Sequence, residues 1–102
     1  MATNITGLEI TECRLITIPQ CFKQLIALKN LSISHCPCLR KLNDCVLLPS
    51  LELLIIYNCR KLRIVKTTLI TPINKINIIN CPKLDKSIVQ FLQSCVRDFM
   101  LR

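Results

Sequence analysis

The chain repeats one nine-residue pattern of apolar and polar positions four times. In each copy, apolar residues occupy positions one, four and six, and a cysteine occupies position nine. The copies are residues 5–13, 28–36, 51–59 and 73–81. Their cysteines are 23, 23 and 22 residues apart, at Cys13, Cys36, Cys59 and Cys81. A fixed period in the twenties predicts a structural unit that stacks on copies of itself.

Each copy predicts one short β-strand at positions three to seven. Side chains alternate along a strand, so positions four and six face the core while positions three, five and seven face outward. Strands from successive copies are expected to pair in parallel and to form a short curved sheet. A second apolar set after each cysteine continues the core through the connecting segments. This set is Leu15, Ile18, Leu39, Leu42, Leu62, Val65 and Leu84.

After Leu84 the apolar period becomes helical and predicts a helix over 87–101. Its apolar positions are Ile88, Phe91, Leu92, Cys95, Val96 and Phe99. Ser87 and Gln90 match a capping box at the start of this helix. Because the terminal units of a stack must be shielded from water, the helix is expected to cover the last one.

The first copy begins after only four residues, so the other end of the stack has no equivalent cover in this sequence. Open sheet edges invite pairing with another chain. The apolar edge formed by Ile5, Leu8 and Ile10 is therefore a candidate contact with a partner or with a second copy. The alternative is that residues 1–6 suffice as a cap.

The repeated pattern resembles the leucine-rich repeat, L-x-x-L-x-L-x-x-N/C-x-L, with cysteine in the polar slot every time. The resemblance covers residues 5 to about 86. The pattern is especially similar to the repeats of plant intracellular immune receptors. Residues 18–25 also resemble the I-P-x-x-F-x-x-L return segment of that family. Those receptors carry nucleotide-binding and signalling domains that this sequence lacks. The resemblance therefore implies a binding surface and does not imply receptor function.

The resemblance implies an α/β fold, namely a short leucine-rich repeat solenoid in a single domain over 1–102. The parallel β-sheet would line the concave face, irregular or helical returns would form the convex face, and a C-terminal helix would cap the end. The expected repeats are near 5–27, 28–50, 51–72 and 73–86, followed by the cap helix at 87–101.

Composition agrees with one aliphatic core in a chain of this size. Hydrophobic residues make up 51% of the 102 residues and aromatic residues only 4%. The sequence contains no apolar run of membrane-spanning length and no signal-peptide pattern at its start. We therefore expect an intracellular location, cytoplasmic or nuclear. The Ile, Asn and Lys content is typical of an AT-rich genome, such as that of a protist or a large DNA virus. For a viral protein the alternative location is the virus particle.

Eight cysteines would suggest a disulfide framework in a secreted protein of this length. Four of them occupy one repeat position, which favours reduced, structural thiols that pack as small hydrophobes. The alternative is a metal site seeded by Cys36-Pro37-Cys38. A zinc site needs a second such pair or histidine partners, and the sequence offers no second pair. We expect neither a metal nor a cofactor.

The outward positions of the third and fourth copies are unusually apolar. Leu53, Ile55, Tyr57 and Ile79 are expected to form one exposed patch, ringed by polar residues that include Lys75 and Asn77. Exposed apolar patches commonly mark interaction sites, and tyrosine is a frequent anchor in them. These six residues are the predicted partner-binding surface. The alternative is that neighbouring chain covers the patch.

Basic residues follow each cysteine and account for much of the net charge of +8, from 14 basic and 6 acidic residues. The main members of this predicted basic ridge are Arg40, Lys41, Arg60, Lys61, Arg63 and Lys83. Such a ridge can bind phosphates without reading a base sequence. The alternative is a solvated polar face. Tyr57 is the only tyrosine and tryptophan is absent, so no base-stacking platform is predicted.

Candidate catalytic groups are few. His35 is the only histidine, and the side chain of the adjacent Cys36 is expected to point into the core, away from it. A single glycine excludes a glycine-rich phosphate loop. We therefore expect no enzymatic activity.

The leading functional hypothesis is a non-catalytic protein–protein interaction module that binds a protein partner through the concave face. The first alternative is a structural subunit of a larger assembly, such as the particle of a large DNA virus, that packs through the N-terminal edge. The second alternative is nonspecific binding of nucleic acid or an anionic surface by the basic ridge.

Overall fold

Each copy of the apolar pattern forms one five-residue strand in the structure, a computed structural model that describes residues 4–17, 24–41, 49–63 and 73–102. The strands are β1 (Gly7–Thr11), β2 (Asn30–Ser34), β3 (Leu53–Tyr57) and β4 (Lys75–Ile79). All four occupy positions three to seven of their copies, as the side-chain alternation predicts. A helix, α1 (Lys86–Cys95), and a fifth strand, β5 (Asp98–Leu101), follow.

The strands form one parallel sheet in the order β1-β2-β3-β4-β5. Equal positions of neighbouring copies pair with each other. Leu8 pairs with Leu31, Leu31 with Leu54, and Leu54 with Ile76. The described part of the chain thus has an α/β fold with a five-stranded parallel sheet and one short helix.

The core lies against one face of the sheet and is aliphatic. Positions four and six of β2, β3 and β4 are at most 1% exposed; these are Leu31, Ile33, Leu54, Ile56, Ile76 and Ile78. Position one of the same three copies is also buried, with Leu28, Leu51 and Ile73. Burying each such side chain contributes about 1.5–3 kcal/mol to folding. On the edge strand β1, Leu8 is only half-buried.

The predicted helix over 87–101 is wrong at its C-terminal end. The helix ends at Cys95, Val96 is extended, and residues Asp98–Leu101 form β5. Phe99 pairs with Ile76 and Leu101 with Ile78 on β4. The free edge of β4 offers backbone partners that a continued helix would leave unpaired. β5, rather than α1, therefore forms this edge of the sheet.

The predicted capping box is also wrong. Asp85 is the N-cap residue, and its Oδ1 accepts a hydrogen bond of 2.9 Å from the backbone N–H of Ile88. The Ser87 hydroxyl donates to the same Oδ1 at 2.8 Å. Ile88 and Leu92 belong to the buried core, so α1 connects β4 to β5 with its apolar side on that core.

Some predictions concern residues that the structure does not describe. Most of the segment 18–25, which resembles a repeat return, lies outside the described residues, and so do Leu42 and Val65. Across the described ranges, no helix combines the length and the apolar character that crossing a membrane requires.

Position eight of every copy adopts a left-handed backbone conformation. The φ values are 56° at Glu12, 53° at His35, 57° at Asn58 and 58° at Asn80. Each of these residues donates its backbone N–H to a carbonyl of the next strand or its end, at 2.9–3.1 Å; the acceptors are Ser34, Tyr57, Ile79 and Arg102. This turn directs the cysteine at position nine toward the core. Asparagine tolerates the conformation well, whereas glutamate does not.

Replacing Glu12 with asparagine is therefore expected to raise the free energy of unfolding by up to about 1 kcal/mol, since a left-handed backbone costs an ordinary side chain about 1–2 kcal/mol. Urea denaturation measures the change. The matched control is Glu52→Asn, which removes the same charge at an exposed residue without a positive φ and is expected to stay within about 0.5 kcal/mol of wild type. A Glu12→Asn protein less stable than wild type would contradict this account of the turn.

Candidate interaction surfaces

The outward positions of the strands form three rows across the solvent-facing side of the sheet. Their order follows from the strand register. The first row is Gly7, Asn30, Leu53, Lys75 and Asp98. The second row is Glu9, Ser32, Ile55, Asn77 and Met100. The third row is Thr11, Ser34, Tyr57 and Ile79. The face is polar on β1 and β2 and becomes apolar on β3.

The six residues predicted to bind a partner lie together on β3 and β4 and are called the β3–β4 patch here: Leu53, Ile55, Tyr57, Lys75, Asn77 and Ile79. Leu53 pairs with Lys75, Ile55 with Asn77, and Tyr57 with Ile79. Tyr57 is 38% exposed, and the other five are half-buried.

Strand β5 adds two residues to this surface that the sequence pattern missed. Met100 pairs with Asn77 and extends the second row with another apolar side chain. The Asp98 carboxylate lies 3.8 Å from the Lys75 ammonium group. Both side chains are substantially exposed, so this ion pair contributes little to stability, about 0–1 kcal/mol. The apolar spacing up to Phe99 predicted a helix instead of this strand. The four residues of β5 are too few to show a clear alternation of apolar and polar positions.

Asn77 carries an unsatisfied acceptor within the patch. Its Oδ1 is shielded from solvent and, among the described residues, has no hydrogen-bond partner. A buried acceptor left unpaired costs about 1–3 kcal/mol. A donor from a bound molecule would remove this cost, so Asn77 can contribute specificity to a contact that is otherwise apolar.

A shallow depression of about 330 Å³ borders the patch on its β1 side. Gly7 and Ser32 line it together with the carboxylate-bearing Glu9 and the apolar Leu53 and Ile55. A Cβ atom at Gly7 would meet nothing within 4 Å, so the glycine leaves the depression open. The depression can accept a side chain that is apolar along its length and ends in a donor or a cation.

A polar ladder holds Tyr57 at the end of β3. The rings of His35 and Tyr57 meet edge to face, with centroids 5.1 Å apart and an interplanar angle of 70°. Asn58 Nδ2 lies 3.3 Å from His35 Nδ1, and Asn80 Nδ2 donates to Asn58 Oδ1. The tyrosine is thereby oriented before any partner arrives.

The repeated cysteines form a second ladder beneath the turns. Each thiol donates to the carbonyl oxygen two residues earlier, at 3.4–3.7 Å. Burial raises the pKa of Cys36, while a thiol hydrogen bond with Cys81, together with burial, raises the pKa of Cys59. The buried thiols of Cys36 and Cys59 therefore stay protonated and are poor nucleophiles. The hydrogen bond with Cys59 lowers the pKa of Cys81. The described cysteines Cys13, Cys36, Cys38, Cys59 and Cys81 are all free of disulfides.

Five of the six predicted ridge residues line one groove of about 510 Å³, called the basic groove here: Arg40, Lys41, Lys61, Arg63 and Lys83. Arg60 is the exception. It borders a different depression with His35, Pro37 and Asn58. Arg60 and Lys61 are consecutive residues in one turn and so direct their side chains to different sides.

A regular backbone arrangement builds the basic groove. After Cys36 and after Cys59, a backbone hydrogen bond closes a turn. The Leu39 N–H donates to the Cys36 carbonyl, and the Leu62 N–H donates to the Cys59 carbonyl. Single parallel bridges then join Thr17 to Lys41 and Lys41 to Arg63. All five basic residues are exposed, and they are the described residues that line the groove. In the described part of the chain, no group of three histidine, cysteine or carboxylate residues is arranged to hold a metal.

Comparison with protein-family models, with curated proteins and with solved structures gave no match. The function is therefore inferred from the two surfaces described above, the β3–β4 patch and the basic groove.

Native thiol labelling is expected to distinguish the ladder cysteines from their neighbour Cys38. Iodoacetamide at pH 8 should modify the half-exposed Cys38 at least about tenfold faster than the buried Cys36 and Cys59, because labelling needs an accessible thiolate. Peptide mass spectrometry resolves the rate at each site. In denaturant the three rates should converge. Equal labelling of Cys38 and Cys59 in the folded protein would contradict the buried ladder.

Proposed function

We propose that this protein is a non-catalytic protein–protein interaction module that binds a protein partner through the β3–β4 patch. The observation that carries the proposal is the alignment of Leu53, Ile55, Tyr57 and Ile79 on the open face of a parallel sheet. Parallel sheets usually have both faces covered, and a strand that is covered on both sides is apolar on both sides, as β3 is. A partner would provide the missing cover on β3.

The proposed architecture is a short leucine-rich repeat solenoid, with the open face as its concave side. Support comes from one strand per period of 22–23 residues, from equal positions pairing across the sheet, and from a left-handed residue before each inward cysteine. In this proposal α1 is the return of the last turn, and together with β5 it closes the C-terminal end.

The patch has the properties of an anchor site. Tyr57 is already held against His35, so little conformational entropy is lost when a partner packs on it. Aromatic anchors in partly desolvated surroundings often dominate binding energy. Asn77 Oδ1 adds one directional acceptor, and the depression beside Glu9 adds room for a basic or donor-tipped side chain.

A binding role without catalysis is proposed because the reactive groups diverge. The His35 ring is exposed and contacts Asn58 and Tyr57. The Cys36 thiol is buried and donates to the carbonyl oxygen of Ser34. Nucleophilic catalysis needs a thiol and an imidazole that meet at one pocket.

A second candidate is assembly through the N-terminal end of the stack, as in a structural subunit of a larger particle. The observation that favours it is the exposure of Ile16 and Ile26, at 58% and 56%, in the first repeat. Ile5 and Leu8 in the same repeat are only half-buried. A partner subunit or a second copy would cover these apolar side chains.

The test of the first proposal compares partner capture by wild type and by an Ile55→Asp/Tyr57→Ala variant, from an extract of the organism that encodes the protein. Proteins bound to wild type should be reduced at least about tenfold on the variant, because a charge replaces the centre of the patch. A photoreactive amino acid at position 57 should form an adduct with the same protein.

The matched control is Thr11→Asp. It introduces the same charge in the Tyr57 row, two strands away on the polar part of the face, and should retain the partner. Unfolding curves establish that all variants are folded. If the patch variant still captures the partner and an Ile16→Asp/Ile26→Asp variant does not, the second proposal replaces the first.

A further inference from the structure

The basic groove brings five positively charged side chains together. Arg40, Lys41, Lys61, Arg63 and Lys83 line it, and no ion pair between these five and a carboxylate occurs among the described residues. The groove lies at the turns that follow the cysteines, so its residues are separate from the outward positions of the sheet face. It is not needed for the proposed partner contact.

The bridged pair Lys41 and Arg63 shows how closely the fold brings these charges together. A parallel bridge joins their backbones, and Arg63 N–H donates to the Arg40 carbonyl at 2.9 Å. Bridged residues on neighbouring strands lie about 5 Å apart. Like charges opposite each other on neighbouring strands are destabilising. A bound anion would convert this repulsion into attraction.

Among the described residues, the carboxylate of Asp85 borders one end of the groove, so the opposite end is the more positive. Asp85 shares a neighbouring depression with Arg63 and Lys83, next to the start of α1. Arg40, Lys41 and Lys61 are not part of that depression. The strongest attraction for an anion is therefore at the end formed by these three residues.

Hydrogen-bonding capacity selects the class of anion. Arginine and lysine side chains are donors only, whereas phosphate oxygens are acceptors only. An acidic peptide would also bring backbone N–H groups, for which the five described side chains of the groove supply no acceptor. The volume of about 510 Å³ suits a ligand of the size of a few phosphate groups. Among the described residues that line the groove none is aromatic, so these residues cannot stack a base.

We infer that the basic groove binds a ligand that carries two or more adjacent phosphate groups, held by Arg40, Lys41, Lys61 and Arg63. A small polyphosphate and the backbone of a nucleic acid strand share this chemistry. The inference is independent of the proposed partner contact, because it uses a different surface.

The test measures binding of inorganic tripolyphosphate by calorimetry and of a fluorescent 12-nucleotide oligo(dT) by anisotropy, both in 50 mM NaCl. The groove variant is Lys41→Ala/Arg63→Ala, which removes the bridged pair. The matched control is Lys29→Ala/Arg97→Ala, which removes one lysine and one arginine from exposed positions outside the groove. Both variants lower the formal net charge from +8 to +6, since each loses two positive charges.

Tripolyphosphate binding should weaken about tenfold or more in the groove variant and less than about threefold in the control, because charge-assisted hydrogen bonds are lost only in the first. Inorganic phosphate should bind more weakly than tripolyphosphate to wild type. If the oligonucleotide binds as well, the salt slope of its affinity should fall by about 1.4 in the groove variant, from two lost contacts on a single strand.

Binding of the oligonucleotide alone, lost in the groove variant, would support the inference with nucleic acid as the source of the phosphates. Equal weakening in both variants would overturn it, because net charge would then explain the binding. No binding of either probe by wild type would also overturn it.

Since the groove variant relieves repulsion, its unfolding free energy should not fall. If it does fall, the Lys41→Gln/Lys61→Gln variant replaces it in both assays.

Discussion

The position-for-position register between parallel strands is the constraint on which the rest of the structure depends. Backbone bonds fix it at the N-terminal ends of β2 and β3, where the Thr6 carbonyl accepts from Lys29 and Asn30, and the Lys29 carbonyl accepts from Glu52 and Leu53 at 2.8–3.0 Å. The left-handed residues fix it at the other ends of the strands. A slip by one residue would turn the buried aliphatic positions to solvent and the outward positions to the core.

The same register creates both candidate surfaces. Every outward position becomes a row across the sheet, so three consecutive apolar outward residues on β3 suffice to make a patch that β4 and β5 extend. The turns that follow Cys36, Cys59 and Cys81 likewise lie on the same side, which brings basic residues from three copies into one groove. Neither surface extends into the core. The residues of both surfaces can therefore be replaced without changing the buried aliphatic side chains.

Much of the fold could be predicted because its determinants are local and repeated. The bounds of β1 to β4, their alternation and the place of the six patch residues follow from the nine-residue pattern alone. The C-terminal strand could not be predicted from the local pattern. Residues 98–101 form a strand because they pair with the free edge of β4, which is a tertiary contact. Asp85 and Ser87 are two residues apart and both have side chains that can cap a helix. Asp85 is the N-cap because its backbone is extended after the preceding turn. The departure of Arg60 from the groove depends on side-chain direction within one turn, which spacing does not specify.

Residue-resolved amide hydrogen exchange tests the continuous register most directly. The amides of Glu12, His35, Asn58 and Asn80 each donate to the next strand or its end and should exchange far more slowly than in an unstructured peptide. His35 and Asn58 should be the slowest of the four, because only for these two do the donor's strand and the acceptor's strand both lie inside the sheet. Exchange of the Asn58 or Asn80 amide at the rate of a free peptide would contradict the account, because the stack would then be interrupted between β3 and β5.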